Sequence, residues 1–157
     1  WHFTAISNEL IKSKIRQAAE LEEKKFYQNI KNNHWLKALE PLGTNPHKPH
    51  LEKAPWLVVV FSERYGVSKT GRKYKNYYVP ESVGISVGFL ISALHVSGLY
   101  CLTHTPNPMG FLSKICKRPS SNKAILILAI GHASENATIP FAATIKKPLK
   151  EVMTVFN

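Results

Sequence analysis

A helical pattern from Pro80 to Ser97 runs through Gly98 into a short apolar strand, Leu99 to Leu102. That strand stops at Thr103-His104-Thr105-Pro106. A long helix rich in small residues, followed directly by a strand ending in two hydroxyls and a proline, admits few architectures. Hydroxyls at alternate positions are poor core material, because a buried hydroxyl needs a partner. At a strand end they present hydrogen-bonding groups at the edge of a sheet, beside a flat ligand. The same residues also suit a plain capped strand end, with His104 as packing.

The remaining periodicities supply the partners for this unit. Trp1 to Ile6 reads as an apolar strand, and Ser7 is a plausible N-cap for the helix after it. Leu10, Ile11, Ile15, Ala18 and Ala19 form one apolar stripe of that helix. The helical pattern continues through Phe26 and Ile30 to about Leu42, with a break expected near Asn32-Asn33. Gly43 to Pro55 is a connection rich in proline and histidine and is not expected to be regular. Trp56 to Phe61 is a continuous apolar run, as in a strand covered on both faces. Residues 63–78 read as a polar, basic loop. Pro80 and Glu81 suit the first turn of the next helix. Gly84 and Gly88 share one of its faces, which fits dense core packing and a subunit interface equally. Gly110 to Lys117 reads as a short helix and Lys123 to Gly131 as a buried strand. An irregular tail over 132–157 carries a helical piece after Pro148. Helices alternate with few strands, which predicts an α+β sandwich rather than a doubly wound sheet.

A chain of 157 residues, 44% apolar and 10% aromatic, suffices for one domain with a real core. The longest apolar run, near Val83 to Val96, is interrupted by serine, glycine and histidine and falls short of the ~20 residues a membrane span needs. No signal peptide opens the chain; its first residue is Trp1, and a segment upstream is expected to be absent. The net charge of +11 invites a nucleic-acid reading. The lysines and arginines are scattered, however, with no nucleic-acid motif beside them, so solvated surface and steering of anions are expected. Cys101 and Cys116 lack partners at metal-ligand spacing and are expected to be buried or half-buried free thiols. Asn136-Ala137-Thr138 is a glycosylation sequon that arises often by chance.

The threonine turn and its flanks resemble the flavin-dependent nitroreductase superfamily and, within it, the iodotyrosine deiodinase family. Glu23 and Tyr27 stand one helical turn apart. Lys48 follows Thr44-Asn45 and precedes Pro55 by seven residues, in the family's register. The resemblance implies a partial nitroreductase-like α/β/α sandwich with a mostly antiparallel sheet over 1–157, and a substrate-lid region over about 20–54. It implies that Glu23, Tyr27 and Lys48 bind substrate: Glu23 pairs with an amino acid's ammonium, Lys48 with its carboxylate, and Tyr27 gives a hydroxyl and an aromatic wall. Thr103, His104 and Thr105 would contact flavin mononucleotide (FMN). Thr105, the catalytic candidate, would reach flavin N5 and favour single-electron steps over hydride transfer. Lys146, before Lys147-Pro148, would meet the flavin phosphate, with Lys147 as the alternative because two extra residues separate Pro140 from this pair.

The implied function is FMN-dependent reductive dehalogenation of halogenated tyrosine by a homodimer with flavin sites between subunits. An external NAD(P)H-dependent reductase would re-reduce the flavin, and no nucleic acid or metal takes part. The resemblance covers only about the last two-thirds of the family's catalytic domain. An Arg-Arg-x-x-Arg-type segment and a Pro-Ser-Gly-Ala-type loop, which grip the flavin in the family, do not occur here. The chain is thus a fragment or a cofactor-poor relative, and the strand opening at Trp1 favours the fragment. Two other functions stay open: a general nitroreductase or quinone oxidoreductase, with Glu23 and Lys48 as surface charges, and a non-catalytic interaction protein. Location is cytoplasmic for a bacterial-type enzyme, and membrane-anchored through an absent N-terminus for an animal-type one.

Overall fold

The computed structural model describes residues 1–29, 37 and 39–156. A four-stranded sheet in the order β1 (His2–Ile6), β2 (Trp56–Glu63), β6 (Asn122–Gly131), β5 (Tyr100–His104) forms the middle of the molecule. Every neighbouring pair is antiparallel. β2 and β6 lie in the interior because their apolar runs can be covered on both sides. Leu57, Val59 and Phe61 of β2 point to one face, where α1 (Glu9–Asn29), α2 (His50–Lys53) and α4 (Gly110–Ile115) supply Ile15, Ala19, Leu51 and Leu112. Val58 and Val60 point to the other face, against Val83 and Val87 of α3 (Val79–Val96). The register slips between Val60 and Phe61, which pair with Leu126 and Ala124. Ile125 is the extra residue of this bulge. It leaves Ile125 and Leu126 together on the α3 face while Ala124 and Ile127 stay on the other. Helices, sheet and helix form three layers, as the expected α/β/α sandwich requires.

Several local expectations give way. Asn8, not Ser7, caps α1: its Oδ1 accepts the Ile11 N–H at 3.0 Å. Leu10 leaves the apolar stripe and is exposed. α1 is described to Asn29, and the break expected near Asn32-Asn33 lies outside the described residues. Glu40–Leu42 is a 3-10 turn closed by Gly43 in the left-handed region at φ 64°. The connection from Gly43 to Pro55 contains the single turn α2, held by the fully buried Leu51. Within the loop over 63–78, β3 (Tyr65–Val67) and β4 (Lys73–Lys75) pair as a hairpin, which strands of only three residues do not announce. α5 (Phe141–Thr144) and α6 (Leu149–Val152) are single turns in the tail. β5 reaches His104, so Thr103 and His104 are strand residues and Thr105 is the first beyond it. β5 is an edge strand, as a display of hydroxyls needs.

α3 packs on the sheet through Val79, Val83, Val87 and Ile91. Its opposite face leaves Ile85, Phe89 and Val96 exposed, Phe89 at 74%. A Cβ added at Gly84 or Gly88 meets nothing within 4 Å, so dense packing inside this chain is not what these glycines serve. By length and composition alone α3 is apolar enough to cross a membrane, with mean hydropathy 1.5 over 18 residues.

At Gly131 the sheet needs a glycine: a Cβ there would lie 2.7 Å from Pro55 Cδ. Gly131→Ala should lower the urea midpoint by an amount equivalent to about 1–3 kcal/mol. Gly110→Ala, which enters open space, should leave the midpoint unchanged or raise it.

Candidate functional site

Helical spacing puts Lys12, Arg16, Glu20, Glu23 and Tyr27 on one face of α1. Each reaches the segment over 44–54, which runs back along the helix. Lys12 Nζ donates to the Ala54 carbonyl at 2.8 Å. Arg16 Nε donates to Glu52, and Arg16 Nη1 to Glu20 Oε2 at 3.0 Å. Glu20 Oε1 accepts the Lys48 backbone N–H at 2.9 Å. Glu23 Oε2 pairs with Lys48 Nζ at 3.5 Å, and the Tyr27 hydroxyl donates to Thr44 Oγ1 at 3.1 Å. Burial alone would raise the Glu20 carboxyl; the Lys48 N–H and the Arg16 guanidinium outweigh it and hold the group below its ordinary value. Lys48 is 7% exposed. A cation that deep needs a partner, and the Glu23 carboxylate is it.

His104 enters the same cluster from β5. Its Nε2 lies 4.0 Å from Glu23 Oε1, and its ring meets that of His50 edge-on, with centroids 5.4 Å apart. Burial first, then the charge of Lys48 and the neighbouring His50, push His104 from 6.5 down to about 4. Burial and then Lys48 lower His50 as well. Both imidazoles are therefore neutral at pH 7. The Nε2 atoms of His50 and His104 are buried without a hydrogen-bond partner among the described residues.

Glu23, Tyr27, Lys48 and His104 thus come together. Thr103 alternates with His104 along β5, so its hydroxyl leaves on the opposite face from the imidazole. Thr103 and Thr105 are exposed, and neither hydroxyl has a hydrogen-bond partner among the described residues. Lys146 is not brought to them: exposed in the tail, it donates to the Ala143 carbonyl at 2.7 Å. A cleft of about 600 Å³ lies beside β5, lined by His50, Pro55, Tyr100, Leu102 and His132. A larger cavity of about 670 Å³, between the β3–β4 hairpin and the start of α3, contains none of the clustered residues. Cys101 and Cys116 are half-buried free thiols, and burial raises both, Cys116 to about 11.

Sequence reasoning passed over His50, Lys12, Arg16, Glu20 and Glu52. Lys12, Arg16 and Glu20 form a charged stripe with helical spacing, which reads first as a solvated face, while His50 and Glu52 lie in a stretch that reads as an irregular connection.

The chain is 51% identical over 140 residues to an iodotyrosine deiodinase of Haliscomenobacter hydrossis, across 89% of this chain and 63% of that protein. It is 37% identical to the iodotyrosine deiodinase of Hydra vulgaris, across 100% of this chain and 57% of that protein. It therefore spans about three-fifths of the length of the curated relatives it matches. Its backbone matches an oxidised iodotyrosine deiodinase solved with FMN and 3-iodo-L-tyrosine at a TM-score of 0.78 and 30% identity, covering 100% of this chain and 76% of that one. A BluB-like flavoprotein from Clostridium difficile 630, at a TM-score of 0.68 and 18% identity, covers 100% of this chain and 80% of its own and shares the fold. No family model matches the chain.

The neutral, buried His104 has a consequence for stability. Between its unfolded value of 6.5 and its folded value of about 4, the unfolded chain binds a proton that the folded chain refuses. Its contribution is fully present above 6.5 and is lost as pH falls towards 4. From about pH 7 to about pH 5 the loss should be on the order of 2 kcal/mol, with His50 adding in the same direction. Urea titrations at the two pH values should show this slope, and His104→Gln should flatten it.

Proposed function

Since this chain belongs to the iodotyrosine deiodinase family, we propose that its site removes halide reductively from a halogenated tyrosine with FMN as electron carrier. The observation that carries the reading is the Glu23–Lys48 ion pair, buried beside His104 at the threonine strand end. An amino acid brings one ammonium and one carboxylate. Glu23 takes the first and Lys48 the second, so binding replaces one internal ion pair with two to the substrate. Tyr27 exchanges its Thr44 bond for the substrate and adds an aromatic wall. The stripe on α1 fixes where Lys48 sits, so little ordering is left to the moment of binding.

The strand end suits a flavin: two exposed hydroxyls, without partners among the described residues, stand at a sheet edge, as a flat polar ring requires. Thr103 and Thr105 would hold the ring, and Lys146 or Lys147 would serve the phosphate. Reduced FMN supplies the two electrons that replacing a carbon–halogen bond by a carbon–hydrogen bond requires, with one proton taken up and halide released. Thr105 stands as the residue tuning that delivery. The ammonium and carboxylate contacts hold the phenol ring in one orientation, and the surrounding burial excludes water from the charged contacts. An NAD(P)H-dependent reductase outside the chain would supply the electrons.

The partner subunit in this reading is a second copy packed on the outer face of α3, where Gly84 and Gly88 admit a close backbone and Ile85, Phe89 and Val96 supply apolar area. The burial of Lys48 supports the clamp over a general nitroreductase or quinone reductase, in which Glu23 and Lys48 would be solvated surface charges.

Glu23→Gln in the FMN-loaded protein should weaken 3-iodotyrosine binding by about ten- to a hundredfold, read from quenching of flavin fluorescence. Reduction of a nitroaromatic by the same variant should be unaffected. An unchanged affinity would remove the clamp. Phe89→Glu should shift the protein from dimer to monomer in sedimentation; a dimer that persists would place the contact elsewhere.

A further inference from the structure

We propose that His104 is a positioning residue for this clamp: its Nε2 hydrogen-bonds to Glu23 when Lys48 turns to the substrate carboxylate. The inference rests on the clamp reading and adds the group that keeps Glu23 aimed once its internal partner has left.

The two oxygens of Glu23 are already divided. Oε2 faces Lys48 Nζ at 3.5 Å, and Oε1 faces His104 Nε2 at 4.0 Å. The second distance is too long for a hydrogen bond, and a closure of about 1 Å makes one. The His104 side chain is only 10% exposed, yet its Nε2 lacks a hydrogen-bond partner among the described residues. A buried polar atom left open is costly, and such an atom aimed at a carboxylate has an evident use. His104 pairs with Ile127 in the sheet, and its ring rests edge-on against His50, so the imidazole has little freedom to turn elsewhere.

The chemistry of the ring agrees. A neutral imidazole carries one proton, and placing it on Nε2 makes that atom a donor to Glu23. The charged and titratable groups around it are Glu23 from α1, and Lys48 and His50 from α2 and the segment before it. When the substrate carboxylate draws Lys48 away, Glu23 loses its pair at the moment it must receive the ammonium. A hydrogen bond from His104 to Oε1 leaves Oε2 for the ammonium, so each oxygen keeps one partner. A protonated ring would instead compete with the ammonium, and its burial near Lys48 keeps it neutral at pH 7.

The test compares two ligands on the FMN-loaded protein: 3-iodotyrosine, and 2-iodophenol, which carries the halogenated ring without the amino-acid charges. His104→Leu should weaken 3-iodotyrosine binding by about tenfold and leave 2-iodophenol within about twofold. His104→Gln, which keeps an N–H at nearly the same reach, should restore 3-iodotyrosine binding to within about threefold of wild type. In wild type, histidine 15N spectra should show the Nε2-protonated form of His104, with a shift on binding 3-iodotyrosine and none with 2-iodophenol. Equal losses for both ligands in His104→Leu, or an Nδ1-protonated ring in the 3-iodotyrosine complex, would overturn the assignment; the spectra decide it even where the leucine variant does not fold. If wild type itself shows no preference for 3-iodotyrosine, the clamp reading fails. If the preference exists and survives His104→Leu, only the role of His104 fails.

Discussion

The site depends on the way one face of α1 seizes the segment over 44–54. From Lys12 to Tyr27 the helix rises about 22 Å. A fully extended segment of ten steps would run to about 33 Å, and the single turn α2 takes up much of the difference. Glu20 is the hub of the arrangement, with Arg16 on one oxygen and the Lys48 N–H on the other. Because the backbone of Lys48 is held there, its ammonium falls on Glu23, one helical turn further along. Lys12 and Lys48 are both buried and both partnered, by a carbonyl and a carboxylate. Loss of the partner of Lys12 or of Lys48 would leave a buried ammonium stranded, so those links hold their segments in place.

The sheet turns this local arrangement into a site. β5 lies at the edge and delivers His104 to the cluster formed by α1 and α2, while its Thr103 hydroxyl leaves on the other side. The bulge at Ile125 supplies the α3 face with two adjacent apolar side chains, Ile125 and Leu126. α3 is covered along one line of valines and an isoleucine, which is why Ile85, Phe89 and Val96 on its other face stay exposed.

The long elements were legible because their patterns are unambiguous. The apolar runs of β2 and β6 and the small-residue helix α3 fall within a few residues of where periodicity puts them. Asn8 displaced Ser7 as cap because both are favourable N-cap residues at adjacent positions, and sequence does not choose between them. α2 and the β3–β4 hairpin escaped because each is too short to show a period, and tertiary contacts such as buried Leu51 form α2. In the site, Glu23, Tyr27 and Lys48 were readable only through resemblance. His50 was hidden in a stretch that composition marks as a loop, and Lys12, Arg16 and Glu20 looked like solvent-facing charge. What sequence lacks in each case is the partner across space: a lysine appears buried only once its carbonyl or carboxylate is in view.

If the proposed clamp holds, the internal Glu23–Lys48 pair would also decide which visitors are turned away. An amine without a carboxylate would engage Glu23 and strand a lysine ammonium away from water. A carboxylic acid without an amine would do the reverse. Either guest must bear the desolvation of an orphaned ion, whereas a molecule with both groups on one carbon leaves no charge alone. In the proposed clamp, selection for free amino acids over their decarboxylated or deaminated counterparts would follow from the resting state, before any contact with the aromatic ring.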